Sequence, residues 1–217
     1  AKQGSTRLPL VAASGQRLER AIEAFRAENA RDPRKLRDAA GQLRPREWLD
    51  AERLAAWVER LEPQASEALR LASYCQHLRR WEKPRSEYEP GRLGYLKWRK
   101  ALARFHAEEA AKLLRPLGYG DEVLLPLRQI QLKQGLITDP DVQTMEDALC
   151  LSFLEHELHE FALEHPDDKV IDIIAKTWRK MSGRAREIAL RLPLGKRELE
   201  LVQAALSRPE QAVPVAE

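Results

Sequence analysis

ASYCQHLRRWEKPRSEYEPGRLGYLKWRKALARFH, residues 72–106, is the stretch on which the reading of this chain turns. It opens in an apolar helical run through Ala72 and Cys75 to His77. Residues 82–91 break the periodicity with Pro84, Pro90 and Gly91, which read as a loop. A long helix then leaves from Arg92. Between Arg79 and Lys100 stand eight basic residues against three acids, with Trp81, Tyr88, Tyr95 and Trp98 interleaved. Guanidinium groups fork onto phosphate or carboxylate, and flat rings offer a stacking surface. The expectation is a helix–loop–helix that carries a site for an anionic, phosphorylated ligand. The competing reading is a basic loop whose rings pack onto the core.

Outward from this stretch the pattern stays helical. Leu18, Ile22 and Phe25 mark a first helix closed by Asp32-Pro33, and Pro45 opens a second that carries Trp48, Leu54 and Trp57. Ser66 caps a third. The helix from Arg92 ends before Gly118, a fitting glycine for a helix C-terminus. Asp121 starts another, which reaches Lys133. Asp139-Pro140-Asp141 combines cap, proline and acid ahead of a helix from Val142 to about Glu164. Pro166, Ser182-Gly183 and Gly195 separate three more. No window alternates at period two for long. The fold class expected is all-α, a single-domain bundle of 8–9 helices over residues 17–207, with a flexible leader at 1–16 and a flexible tail at 208–217.

Composition sets the outer bounds. With 43% apolar and 33% charged residues, the 217-residue chain can bury a core behind charged faces. A net charge of +3 gives no global field for nucleic acid, so any basic footprint is local. Cys75 and Cys150 lack CxxC spacing and read as reduced thiols of a cytoplasmic protein. No apolar run approaches the roughly 18 residues that span a bilayer, so no membrane is expected as a partner.

Three residues could support chemistry. His77 ends a helix at the mouth of the basic loop, and His106 lies on the helix that leaves it. Asp147 sits in the apolar run EDALCLSFL, where a carboxylate is costly unless paired. Two histidines and an aspartate could converge on a divalent cation, although spacing alone does not bring them together. Glu155-His156-Glu157-Leu158-His159 looks metal-like, but its histidines are three apart and read as a solvated helix face. Lys176 and Lys180 share a helix face, which suits an anion or a balancing Asp172.

These residues fall in a recognisable order. Gln76-His77-Leu78-Arg79-Arg80-Trp81, Pro84-Arg85-Ser86-Glu87-Tyr88 and Arg92-Leu93-Gly94-Tyr95-Leu96-Lys97-Trp98-Arg99 are followed by Phe105-His106-Ala107 and Lys133. Gln143 to Leu154 and Lys176 to Ser182 complete the set. The pattern QHxxRW, PRxxY, RxGYxxWR, EDAxCxxFL and KTxxKMS resembles a family catalogued as a domain of unknown function. Some of its fungal members are labelled glutamyl-tRNA synthetase, a label this helical pattern does not support. A weaker resemblance is to the His-Asp (HD) superfamily of helical, metal-dependent phosphohydrolases. There His77 falls near the HD pair, His106 starts HAEEAAKLL, Lys133 stands where another histidine is common, and Asp147 opens DALCL. That resemblance implies an HD-like fold and one divalent metal ion (Mn, Fe, Zn or Mg) on His77, His106 and Asp147. Alternatively the metal is lost, and Lys133 supplies a fixed positive charge.

The combined expectation names His77, His106, Asp147 and Lys133 as catalytic. It names Gln76, Arg80, Trp81, Arg85, Tyr88, Arg92, Tyr95, Trp98, Arg99, Lys176 and Lys180 as ligand-binding. The ligand expected is a phosphorylated, nucleotide-like small molecule, with hydrolysis of its phosphoester as the reaction. The alternative is a module that binds RNA or nucleotides without turnover, its rings stacking bases and its arginines on the backbone.

Overall fold

The computed structural model describes residues 7–208, with side chains from Gly15 onward. The chain folds as ten α-helices with one short β-hairpin among the described residues. It forms two compact units, one up to Met145 and one from Glu146. The fold is therefore all-α. No helix among the described residues is long and apolar enough to cross a membrane.

The first unit is built around its shortest core helix. Helix α1 (Arg7–Asn29) leads to strands β1 (Lys35–Arg37) and β2 (Leu43–Pro45), then to α2 (Arg46–Leu61) and α3 (Glu67–Cys75). Ser66 caps α3 by accepting the Leu69 N–H at 3.1 Å. Six of the nine residues of α3 are buried while Arg70 is exposed, so most of the helix surface needs cover. Helices α1 and α2 pack against it, as do α4 (Gly91–Leu114) and α5 (Asp121–Gln131). Gly118 ends the α4 region in the left-handed conformation, φ 85°, where a side chain would be strained.

Two features depart from the sequence reading here. Helix α1 begins at Arg7, ten residues before the expected start, while residues 1–6 lie outside the described residues. The β-hairpin pairs Leu36 with Arg44 across a turn in which the Asp38 carboxylate accepts the N–H groups of Ala40 and Gln42. Three-residue strands are too short to show alternation, so periodicity misses them.

Helix α6 (Pro140–Ser152) starts on the expected cap: Asp139 Oδ1 accepts the Asp141 and Val142 N–H groups at 2.9 and 3.1 Å. A π-helical turn over Phe153–Glu157 separates it from α7 (Leu158–Glu164). The second unit continues with α8 (Asp167–Lys180), α9 (Gly183–Ala189) and α10 (Lys196–Leu206). Helix α10 packs against α8 and α7. Of the expected tail, residues 209–217 lie outside the described residues.

Candidate functional site

Helix α3 stops at Cys75 because the chain turns out of the core. The Leu78 N–H returns to the Cys75 carbonyl, and the Arg80 N–H returns to that of His77. Arg79 takes the left-handed conformation at φ 55°, which costs a non-glycine residue about 1 kcal/mol or more. Its surroundings hold it there. The Arg79 N–H donates to buried Asn29 Oδ1, and its guanidinium donates to both Glu82 oxygens, at 2.9 and 2.7 Å, and to Glu109 at 2.6 Å. Arg79 is thus committed to the scaffold, and its neighbours His77 and Arg80 are delivered to a cleft.

That cleft holds about 420 Å³ and lies wholly within the first unit. The α3 turn contributes Gln76, His77 and Arg80. Helix α4 contributes Arg99, Lys100, Arg104 and His106, and the end of α5 contributes Gln131, Lys133 and Gln134. Leu102, Ala103 and Leu132 supply apolar wall. Lys133, like Arg79, is held left-handed at φ 55°. Five of the thirteen lining side chains are cationic and none is a carboxylate. Gathered cations raise the local positive potential, which favours an anion.

The two imidazoles are neutral. His106 is 3% exposed, and its Nδ1 lies 2.7 Å from the Leu78 carbonyl, so Nδ1 carries the proton and donates it. Burial pushes its pKa down to about 4 against the pull of the Leu78 bond, and Arg80 and Arg99 push the same way. His77 lines the cleft and is half-buried. Burial holds it well below the usual histidine range, helped by Arg80, His106, Arg99 and Lys133. The rings stand edge to face with centroids 6.2 Å apart.

Of the expected ligand residues, Gln76, Arg80 and Arg99 line this cleft together with His77, His106 and Lys133. Trp81, Arg85, Tyr88, Arg92, Tyr95 and Trp98 are not in its wall. Arg85 instead knits the loop, donating to the carbonyls of Tyr88 and Glu89 at 2.7 Å and of Gly91 at 3.2 Å. Trp98 donates its Nε1–H to the Lys83 carbonyl at 2.8 Å. Lys100, Arg104, Gln131 and Gln134 are lining residues that no motif marked. Gln131, an amide within the otherwise apolar inner face of α5, was the one legible signal among them.

Asp147 belongs to the second unit. Its carboxylate accepts the Ser182 N–H at 2.8 Å and the Ser182 hydroxyl at 2.6 Å, and Ser182 Oγ in turn caps α9 through the Ala185 N–H. Glu146 pairs with Lys180 at 3.5 Å, and the Cys150 thiol donates to the Thr177 carbonyl. Lys176 is bonded to Asp172 one turn before it. The EDAxC and KTxxKMS segments are therefore partners of each other. Among the described residues, no three side chains of His, Cys, Asp or Glu form a set that could hold a metal ion.

The family model described as "Domain of unknown function (DUF4202)" matches residues 19–202. No curated protein and no solved structure matches the chain.

Proposed function

We propose, for a chain that belongs to this family of domains of unknown function, that the first-unit cleft binds the phosphate group of a phosphorylated small molecule of nucleotide size. One observation carries this reading: Arg80, Arg99, Lys100, Arg104 and Lys133 line a single cleft. Its volume of about 420 Å³ falls within the range of small-molecule sites. An RNA-binding surface would want stacking rings beside its cations, and the four aromatics of the basic stretch are not in the wall.

Titration calorimetry with inorganic phosphate and with a nucleoside monophosphate, at low ionic strength, tests the reading. Saturable binding is expected, weakened about tenfold or more in Arg99→Ala and Lys133→Ala, as befits losing a charge-assisted hydrogen bond. Absence of saturable binding, or variants that bind as the parent does, would overturn it.

Hydrolysis of the bound phosphoester is a second reading, favoured by the neutral imidazoles of His77 and His106 in the same cleft. Neutral imidazole moves protons in phosphoryl and acyl chemistry. Phosphate release from nucleoside monophosphates, measured with and without manganese and lost in His77→Asn, is the expected outcome. No release under either condition leaves a binding protein.

A further inference from the structure

Helix α4 opens with a surface that the cleft does not use. Leu93, Tyr95 and Leu96 are 68%, 46% and 52% exposed. Single exposed apolar side chains are ordinary, whereas a cluster marks a place of contact. Among the described residues, no other four-residue stretch holds even two exposed large apolar side chains. The cluster is ordered by the helix. Leu96, Lys97, Lys100 and Arg104 follow Leu93 by three, four, seven and eleven residues, so all five share one face, and all are exposed. Tyr95 lies to one side of it, where its ring meets that of Trp98 with centroids 5.9 Å apart.

Charge along this part of α4 has one sign. Residues 91–107 hold five basic residues and no acid; Glu89 before them and Glu108 after them are the nearest carboxylates in the chain. Among the described residues, no salt bridge engages Arg92, Lys97, Lys100 or Arg104. A row of cations around two exposed leucines suits a partner that is acidic and apolar at once. Nucleic acid supplies charge and flat bases, but aliphatic leucines offer bases no stacking platform. A protein segment supplies both halves: apolar side chains against Leu93 and Leu96, and Asp or Glu against the cations around them. For a stripe on a single helix, the fitting complement is the apolar face of another helix.

We propose that this face of α4 docks an acidic amphipathic helix of a protein partner. Docking there is independent of phosphate binding in the cleft. Lys100 and Arg104 also line the cleft, so Leu93, Leu96 and Lys97, which do not, are the residues to vary.

Random peptides of about 16 residues, some four turns of helix, are displayed on phage and selected against the full chain. Those recovered are synthesised with a fluorophore and titrated by anisotropy. They should carry large apolar residues at helical spacing together with Asp or Glu. Their affinity should fall about tenfold or more in Leu96→Ser and in Lys97→Glu, as for loss of a central interface contact, and recover in Lys97→Arg. Leu93→Ser, on the same face, gives the same reading should Leu96→Ser not fold. No enrichment over an unrelated protein, or peptides that bind both leucine variants as they bind the parent, overturns the proposal. So does binding of a single-stranded oligouridylate that Lys97→Glu abolishes and both leucine variants keep, because the face then serves nucleic acid. A dimer in sedimentation that Leu96→Ser dissolves also overturns it, because a second copy of the chain then covers the face.

Discussion

His106 is held neutral by its surroundings rather than by its own chemistry, and that has a consequence for acid stability. Its folded pKa of about 4 lies below its ordinary 6.5, so the unfolded chain binds the proton more readily. The stability associated with neutral His106 is fully present above pH 6.5 and is lost as pH falls through about 4. A shift of that size corresponds to about 3 kcal/mol. Glu47, 3% exposed, runs in the opposite direction. Burial lifts it to about 7 against the pull of Arg80 and Arg34, so its contribution is present below pH 4.5 and lost as pH rises to 7. Arg34, bonded to Glu47 and Asp32, stays charged, with its pKa raised despite burial. The two profiles overlap, so a difference between variants is the clean measurement. His106→Gln keeps a donor for the Leu78 carbonyl but cannot titrate. Its urea stability should fall less steeply than the parent's between pH 6.5 and 4. Parallel curves would mean that His106 is not held neutral by the fold.

At the scale of elements, the loop over residues 82–90 is held against the start of α4 by close backbone approach. A Cβ built on Gly94 would lie 1.8 Å from the Glu89 carbonyl oxygen, a separation no pair of non-bonded atoms tolerates. Arg85 and Trp98 tie the same loop through its carbonyls. Replacing an exposed helical glycine by alanine normally stabilises by about 1 kcal/mol. Gly94→Ala should do the reverse and cost about 1–3 kcal/mol, the usual range for overpacking. Denaturant midpoints give the sign directly, and Trp98 fluorescence reports whether the loop has lifted; a gain in stability would remove the close approach. This arrangement also explains what sequence could and could not reveal. The glycine, the prolines and the helical periods on either side are local signals and were legible. Whether the arginines and rings of the loop face a ligand or their own backbone is set by three-dimensional packing, which spacing does not encode. Caps at Ser66 and Asp139 were equally legible because a cap joins near neighbours in the chain. The π turn at Phe153–Glu157 carries no comparable local mark.

At the scale of the molecule, the motif residues sort into two groups by unit. His77, Arg80, Arg99, His106 and Lys133 gather at the first-unit cleft, whereas Glu146, Asp147, Lys180 and Ser182 pair within the second unit. A buried carboxylate in an apolar helix needs partners for reasons of solvation alone, and the Ser182 N–H and hydroxyl are two of them. Asp147 is then a structural anchor: it fixes the residue that caps α9 and so ties α6 to the α8–α9 turn. Asp147→Ala leaves the Ser182 N–H without its charged acceptor, a loss of about 2–3 kcal/mol at a charge-assisted bond. Amide hydrogen exchange on the variant should show weakened protection across residues 146–208 and full protection in α3, α4 and α5. Its affinity for inorganic phosphate should stay within about twofold of the parent's, because removing a charge-assisted hydrogen bond from the cleft itself would cost about tenfold. A tenfold fall in phosphate affinity with hydrogen exchange unchanged in the second unit would instead place Asp147 among the ligand-binding groups, and the anchoring role would have to be abandoned.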